Sequence, residues 1–449
     1  MMPPLTNTGS PPEDGYLIGK KQAWFAFAMT FALMLFDYMD RQVIVSLFPH
    51  IKAAWNLSDK QLGGLVSIIS IVVAMGGIPV ALLADRLSRV KSIVVMATTW
   101  SLATIYCMFA GNYAQLFAAR AVVGLGETGY GSVGSALLSN VFPKRMRGAL
   151  MGALFAAASL GSVFGVVLGG VIAAKWGWKA AFGVVGVPGL ALALLYLLVR
   201  DYKTVTLTPQ LNQVTQSIGG TLKHIFSTLA RTPTLRWICI GQAMQVLVVS
   251  AIWSWLPSYL NRFHGIAPDQ AGKQAALVIL AGAFGGFLWG VVIDRLSIRR
   301  PGSKLPMLSA LCLVSLAILA YAFNAPLDGS TQLKLIIAGG FFMTCSVGVV
   351  VGVLMDVVHP GVRSTGAAVL SLFQNLLGLA VGPFLVGALS DIWGLHQAMA
   401  MIPAFSILAA VFFMAAARSY DKDAAPVSGI ALDADQNTTA HAAGKCQHV

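Results

Sequence analysis

Apolar residues in this chain gather into long runs with few charges, separated by short polar connections. Runs of roughly 20 or more residues lie near 22–48, 61–84, 92–110, 114–139, 148–174, 179–199, 235–260, 271–293, 305–324, 333–355, 364–389 and 396–417. A helix of about that length crosses a ~30 Å hydrocarbon core, so the pattern predicts twelve transmembrane helices. Ten-residue segments of alternating polarity are absent, which argues against a barrel. The longest polar connection, 201–233, divides six runs from six. The expected organisation is therefore a disordered segment 1–21, a six-helix bundle 22–200, a linker 201–233, a second bundle 234–418 and a disordered tail 419–449.

The two halves repeat one another. Asp85-Arg86-Leu87-Ser88 closes the second run and Asp294-Arg295-Leu296-Ser297 closes the eighth, 294 − 85 = 209 residues later. Pro143-Lys144-Arg145-Met146-Arg147-Gly148 returns in outline as Pro360-Gly361-Val362-Arg363-Ser364-Thr365-Gly366, and 360 − 143 = 217. Duplication at this length predicts two pseudo-symmetric bundles that enclose a site and rock about it. Glycines at near four-residue spacing, Gly161, Gly165, Gly169 and Gly170 in the fifth run and Gly378, Gly382 and Gly387 in the eleventh, mark faces where helices approach closely, and Pro383 predicts a kink.

Composition agrees with a membrane protein: hydrophobic residues make up 57% of the chain and charged residues 10%, far from the balance of a soluble domain. The net charge of +13 could point to a nucleic acid, but its distribution points elsewhere. With the amino terminus inside, about 20 of the Lys and Arg residues fall on the inner side and about 7 on the other, the positive-inside bias. Both termini are then cytoplasmic, and no nucleic-acid partner is expected. Residues 1–21 lack the short apolar stretch and small-residue cleavage site of a signal peptide. Cys107, Cys239, Cys312 and Cys345 fall inside runs and Cys446 in the tail, with neither a disulfide framework nor a metal spacing, so no metal or cofactor is expected.

The candidate chemistry lies in the first and fourth runs. Asp37, Asp40, Arg41, Arg120 and Glu127 are ionisable groups deep in apolar sequence, where a charge costs at least about 2.5–3.5 kcal/mol and needs a cavity and a partner. At ~1.5 Å per residue, Asp37 and Glu127 fall near the midplane and Asp40, Arg41 and Arg120 roughly 5–9 Å toward the outside. Asp37 and Arg41 are four residues apart, and Arg120 and Glu127 seven, so each pair shares a helix face. The expectation is one polar cluster, with Arg120 paired to Asp40 or Asp37. A carboxyl there can gain a proton when desolvated and release it when a cation approaches, the two-state element that proton coupling needs. A static ion-pair network fastening two helices is the alternative.

The second half carries no charge in mid-run. It offers Gln242, Gln245, Trp253, Trp255, Gln374 and Asn375. Arg41, Arg120, Gln242, Gln245, Trp253, Gln374 and Asn375 are the candidate substrate contacts. Asp85 and Asp294 sit at helix carboxyl ends, where the dipole disfavours an anion, so each is expected to meet a helix of the opposite half. Asp85 is paired with the start of the eleventh helix near Arg363, and Asp294 with the start of the fifth near Arg147; with Arg86 and Arg295 these form a candidate cytoplasmic gate.

These residues resemble the major facilitator superfamily over the whole membrane region. Ala81 to Arg89 resembles its G-x-x-x-D-R-x-G-R loop signature, with Ala81 and Ser88 in place of glycines, and Gly290 to Arg300 resembles the second copy. Arg120-Ala121-Val122-Val123-Gly124-Leu125-Gly126 resembles the fourth-helix motif whose Arg is implicated in proton coupling. Gly161 to Gly170 resembles the antiporter motif of the fifth helix, but Val166 stands where its proline belongs. Asp37 to Arg41, Gly124 to Tyr130 and His359 to Asp391 look most like the Spinster-like branch, and Trp255 to Leu260 is similar to the anion symporters. The resemblance implies a proton-coupled secondary transporter, with no enzyme activity, that works as a monomer in a bacterial inner membrane and carries a small organic anion by alternating access. A Spinster-like carrier of a lysolipid or other amphipath is the second expectation, and a channel or membrane enzyme a remote third.

Overall fold

The computed structural model describes residues 16–86, 88–200, 232–359 and 363–443, with side chains described throughout except at 78, 79, 81–86, 144, 364, 365 and 426–443. Every regular element among the described residues is helical. The first half contains α1 (Lys20–Trp55), α2 (Asp59–Arg86), α3 (Arg89–Phe109), α4 (Tyr113–Glu127), α5 (Tyr130–Val141), α6 (Arg147–Trp176) and α7 (Trp178–Leu195). In the second half are α8 (Pro233–His264), α9 (Pro268–Leu296), α10 (Lys304–Asn324), α11 (Gly329–Met343), α12 (Ser346–Val357), α13 (Arg363–Phe373), α14 (Val381–Trp393), α15 (Leu395–Met401) and α16 (Phe405–Ala443). Eleven helical stretches are long and apolar enough to cross a membrane; α4 and α5, each too short alone, follow one another at Thr128–Gly129.

Local chemistry sets many of the ends. Asn112 and Asp328 accept hydrogen bonds from the backbone N–H three residues on and so cap α4 and α11. Donation from Ser330 and Thr331 holds the Asp328 carboxyl below the ordinary carboxylate range. Pro233 and Pro268 open α8 and α9, where a missing N–H costs nothing. Interior features recur between halves: Pro49 lies inside α1 and Pro257 inside α8, 257 − 49 = 208 residues apart. The interruption at Thr128–Gly129 is matched by one at Thr344–Cys345, and 344 − 128 = 216. Pro383 cannot donate to the carbonyl of Leu379, and the preceding segment Gln374–Leu379 loosens into a π-helix.

Glycines set the tightest packing. A Cβ at Gly161, Gly165 or Gly169 of α6 would run into the backbone carbonyl of Leu35, Met39 or Val43 of α1, three contacts in four-residue register. Gly378 and Gly382 bring the π segment and α14 equally close to α8. Gly387 does something else: it lies against the backbone of Asp59, in the opposite half.

The buried apolar residues divide into three clusters that report how the halves meet. One, from Tyr16 to Val199, belongs to the first half, and one, from Leu235 to Tyr420, to the second. The third joins both, combining Phe48, Ile51, Trp178 and Leu57 with Trp255, Tyr259, Phe323 and Leu395. The separate cores lie toward the end with Arg89, Arg145, Arg147 and Arg295, here called the basic end. The shared core lies at the far end and fuses the halves there; among the described residues no buried apolar cluster joins them at the basic end. The tail differs from expectation: 419–425 continue α16, with Tyr420 buried and the Asp423 carboxylate accepting from the Thr234 amide, because these residues cap the start of α8.

Candidate functional site

The five ionisable residues of α1 and α4 form one buried cluster. Gly161, Gly165 and Gly169 press α6 onto one face of α1, and α4 stands close enough for its cation to reach α1. Arg120 is fully buried, and its Nη1 donates to Asp40 Oδ2 at 3.2 Å and to the Asp40 backbone carbonyl at 3.4 Å. Arg41 serves two acids: Nη2 lies 2.9 Å from Glu127 Oε2 and Nε 3.7 Å from Asp37 Oδ1. Glu127 is the last residue of α4, where the helix dipole disfavours an anion, and Arg41 supplies the offsetting charge. Two cations thus face three carboxyl groups.

These pairs leave donors over. Arg120 Nε and Nη2 and Trp253 Nε1 have no hydrogen-bond partner within the protein, and neither do the acceptors Asp37 Oδ1, Asp40 Oδ1, Gln42 Oε1 and Glu127 Oε1. Arg41, Arg120 and Trp253 all line a cavity of about 130 Å³ between the halves. Tyr38, Gln42, Ser70 and Ser162 complete its first-half wall, and Ser250, Ser254, Leu379 and Pro383 its second-half wall. Val66, Ile69 and Val249 make the remainder apolar. A small chamber with several unpaired N–H groups and a mostly apolar wall suits a compact anion.

The expected substrate contacts separate. Arg41, Arg120 and Trp253 line the chamber, whereas Gln242, Gln245, Gln374 and Asn375 lie outside its lining. Gln245 donates to the Met343 carbonyl and Asn375 to Ser371 of its own turn, so both hold helices. Trp255 is also structural, donating to the Pro383 carbonyl and packing on Phe48 across the halves. Sequence reading passed over Tyr38, Gln42 and the serines, which carry no signal in an apolar run.

At the basic end the expected contacts between halves are not formed among the described residues. Asp294 lies 3.5 Å from Lys304 of its own half, which also contacts Asp356 at 3.2 Å, while Arg147 and Arg295 are exposed. Arg363 donates to the Met355 carbonyl. The side chains of Asp85 and Arg86 lie outside the described residues. In this conformation Asp294 stays with Lys304 rather than reaching the start of α6 near Arg147, and the halves are joined at the opposite end.

There a latch stands that sequence reading missed. Asp59, at the start of α2, accepts from Arg262 of α8 at 2.6 and 2.7 Å, and also from Lys52 and from Ser390 of α14. Asp391 reciprocates, accepting from the backbone N–H groups of Asp59 and Lys60 at 2.8 and 2.9 Å. Two anions at one helix amino terminus, one of them held in a bidentate pair, make a charge-assisted bridge between halves. The signal was a lone Asp at the start of a run on the side poor in basic residues.

Comparison with known proteins agrees with this architecture. The chain is 28% identical to an MFS-type efflux pump of Mycolicibacterium smegmatis over 378 residues, 83% of this chain and 86% of that one. It is 27% identical to a gallate transporter of Pseudomonas putida over 72% of this chain and 75% of that one. Its fold matches the crystal structure of a bacterial homolog to the human lysosomal transporter Spinster, in an inward-facing and unoccupied conformation, with TM-score 0.80 and 22% identity over 90% of this chain and 99% of that one. The sequence profile of the Major Facilitator Superfamily matches residues 30–383 and again 238–437. With that profile spanning both halves, and two helical units closed over a shared central chamber, the chain belongs to the Major Facilitator Superfamily of membrane transporters.

Proposed function

We propose that this chain is a proton-coupled carrier of a small organic anion that works by alternating access. The observation that carries the reading is the charge count of the central cluster. Asp37, Asp40 and Glu127 oppose only Arg41 and Arg120, so the cluster is balanced only when one proton sits on it. A bound anion adds one more negative charge, and in a dry site that charge calls for one more proton. Arg120 and Trp253 come from opposite halves, so an acid held between them is released when the halves part.

Topology follows from the positive-inside bias: the basic end faces the cytoplasm, the α4–α5 pair supplies a twelfth crossing, and both termini are cytoplasmic; the bacterial transporters among its relatives support a bacterial inner membrane as its location. The described conformation is then inward-facing, closed outside by Asp59 and Arg262. In the alternate state Asp294 leaves Lys304 for the start of α6 near Arg147, and Asp85 meets the start of α13 near Arg363. The protein acts as a monomer, since the chamber is complete within one chain.

The chamber's size and its flat Tyr38 and Trp253 rings favour a compact, ring-bearing carboxylate, the class that the gallate transporter's name indicates for that relative. Thermal unfolding of the purified protein with a panel of aromatic and aliphatic acids, their methyl esters and lysolipids tests this. At 100 times its Kd a bound acid stabilises by about 2.7 kcal/mol. A rise in Tm with acids and none with esters is expected; stabilisation by lysolipids alone contradicts the reading.

A further inference from the structure

Beyond the central chamber, four polar side chains at the far end of the second half form a single hydrogen-bonded line. His264 Nε2 lies 2.6 Å from Gln332 Oε1, and Gln332 Nε2 lies 2.8 Å from the Ala322 carbonyl and 3.0 Å from the Tyr259 hydroxyl. The Tyr259 hydroxyl in turn lies 3.0 Å from His396 Nδ1. One arrangement of the hydrogens leaves no donor along this line without an acceptor. A backbone carbonyl only accepts, so the Gln332 atom beside Ala322 is the amide nitrogen, and its oxygen faces an N–H of His264. The second amide hydrogen goes to the Tyr259 oxygen. The phenolic hydrogen then points at His396, whose Nδ1 accepts it. An imidazole nitrogen that accepts belongs to a neutral ring.

We propose that His396 senses protons in the solution at the far end, and that its protonation loosens the latch between Asp59 and Arg262. His396 is exposed, whereas Tyr259 and Gln332 are 1% and 5% exposed, so solvent protons reach one end of a buried line. The His396 ring stacks on Tyr259 and packs on Phe263, and Arg262 follows Tyr259 by three residues on α8. A proton on Nδ1 turns its lone pair into a second donor. The Tyr259 oxygen already accepts from Gln332, so the phenolic hydrogen loses its acceptor inside the protein.

The charged groups around His396 are cations or carboxylates that already have partners. On α8 the neighbours are cationic Arg262 and His264, and α10 carries its only charge, Lys304, at the other end. Lys334 on α11 is a further cation. Asp328, which caps α11, already accepts from Ser330 and Thr331, and Asp391 of α14 accepts from the Asp59 and Lys60 amides. Protonation therefore weakens the attachment of α15 to the end of α8 that bears Arg262.

The test uses the full chain in lipid nanodiscs without substrate, in a background lacking Cys446, with nitroxide labels on Lys175→Cys and Lys334→Cys at the far ends of α6 and α11. Spin–spin distances are measured from pH 8 to pH 5. In the otherwise unsubstituted protein the ratio of long to short distances should rise about tenfold, the factor that one stranded buried hydroxyl is worth. His396→Gln keeps an acceptor for Tyr259 but cannot titrate, so it should give the short distance at every pH. In Tyr259→Phe the distances should be independent of pH. No rise in the parent protein, or the same rise in His396→Gln, overturns the proposal. The second outcome would place the pH response on another group and leave the coupling reading intact.

Discussion

Arg120 is the residue on which the site turns. It is fully buried, bound to Asp40 through one nitrogen, and has two further nitrogens unpaired toward a chamber it lines. Removing one partner of a buried ion pair strands the other, at a cost of about 3–5 kcal/mol, so Arg120→Ala should sharply lower Tm. Arg120→Lys separates fold from binding: it keeps the charge for Asp40 but loses the planar fork, so Tm should fall modestly while acid affinity drops about tenfold or more. Unchanged affinity in that variant would remove Arg120 from the substrate site. The five charges were legible because a charge in an apolar run has no cheap resting place. The amides were not, since Gln242, Gln245, Gln374 and Asn375 fit equally at a ligand or between helices, and sequence gives no direction for a side chain.

At the scale of elements, close glycine packing of α6 on α1 positions Asp37, Asp40 and Arg41. Gly165→Leu would force a side chain into the Met39 carbonyl, lower Tm and shift Asp40 away from Arg120. A Cβ at Gly152 on the same helix meets nothing within 4 Å, so Gly152→Leu should leave both unchanged. Thermal unfolding together with ligand titration reads the difference; equal effects would mean that this packing does not place the site. The glycine spacing was legible because it repeats every four residues. The breaks were less so: Gly129 is one of 46 glycines, and the equivalent interruption at Thr344–Cys345 contains neither Gly nor Pro. Both breaks emerge only when the halves are laid over one another in space.

For the whole molecule, duplication and division of labour coexist. Prolines, helix breaks and loop signatures recur 208 to 217 residues apart, yet among the described residues the buried charges belong to the first half. The second half contributes Trp253 and a wall, and both halves share the latch through Asp59, Arg262 and Asp391. The repeat was legible as a pair of basic-end motifs, whereas the latch was not, because which end is closed is a property of one conformation. The central claim is that anion movement is tied to a proton on the central cluster. Uptake of an acid that stabilises the protein should be measured in proteoliposomes under an imposed pH gradient, for the parent protein and for Asp40→Asn. The account predicts accumulation that collapses with the gradient and is absent in Asp40→Asn; accumulation that persists without the gradient, or that Asp40→Asn sustains, would contradict it.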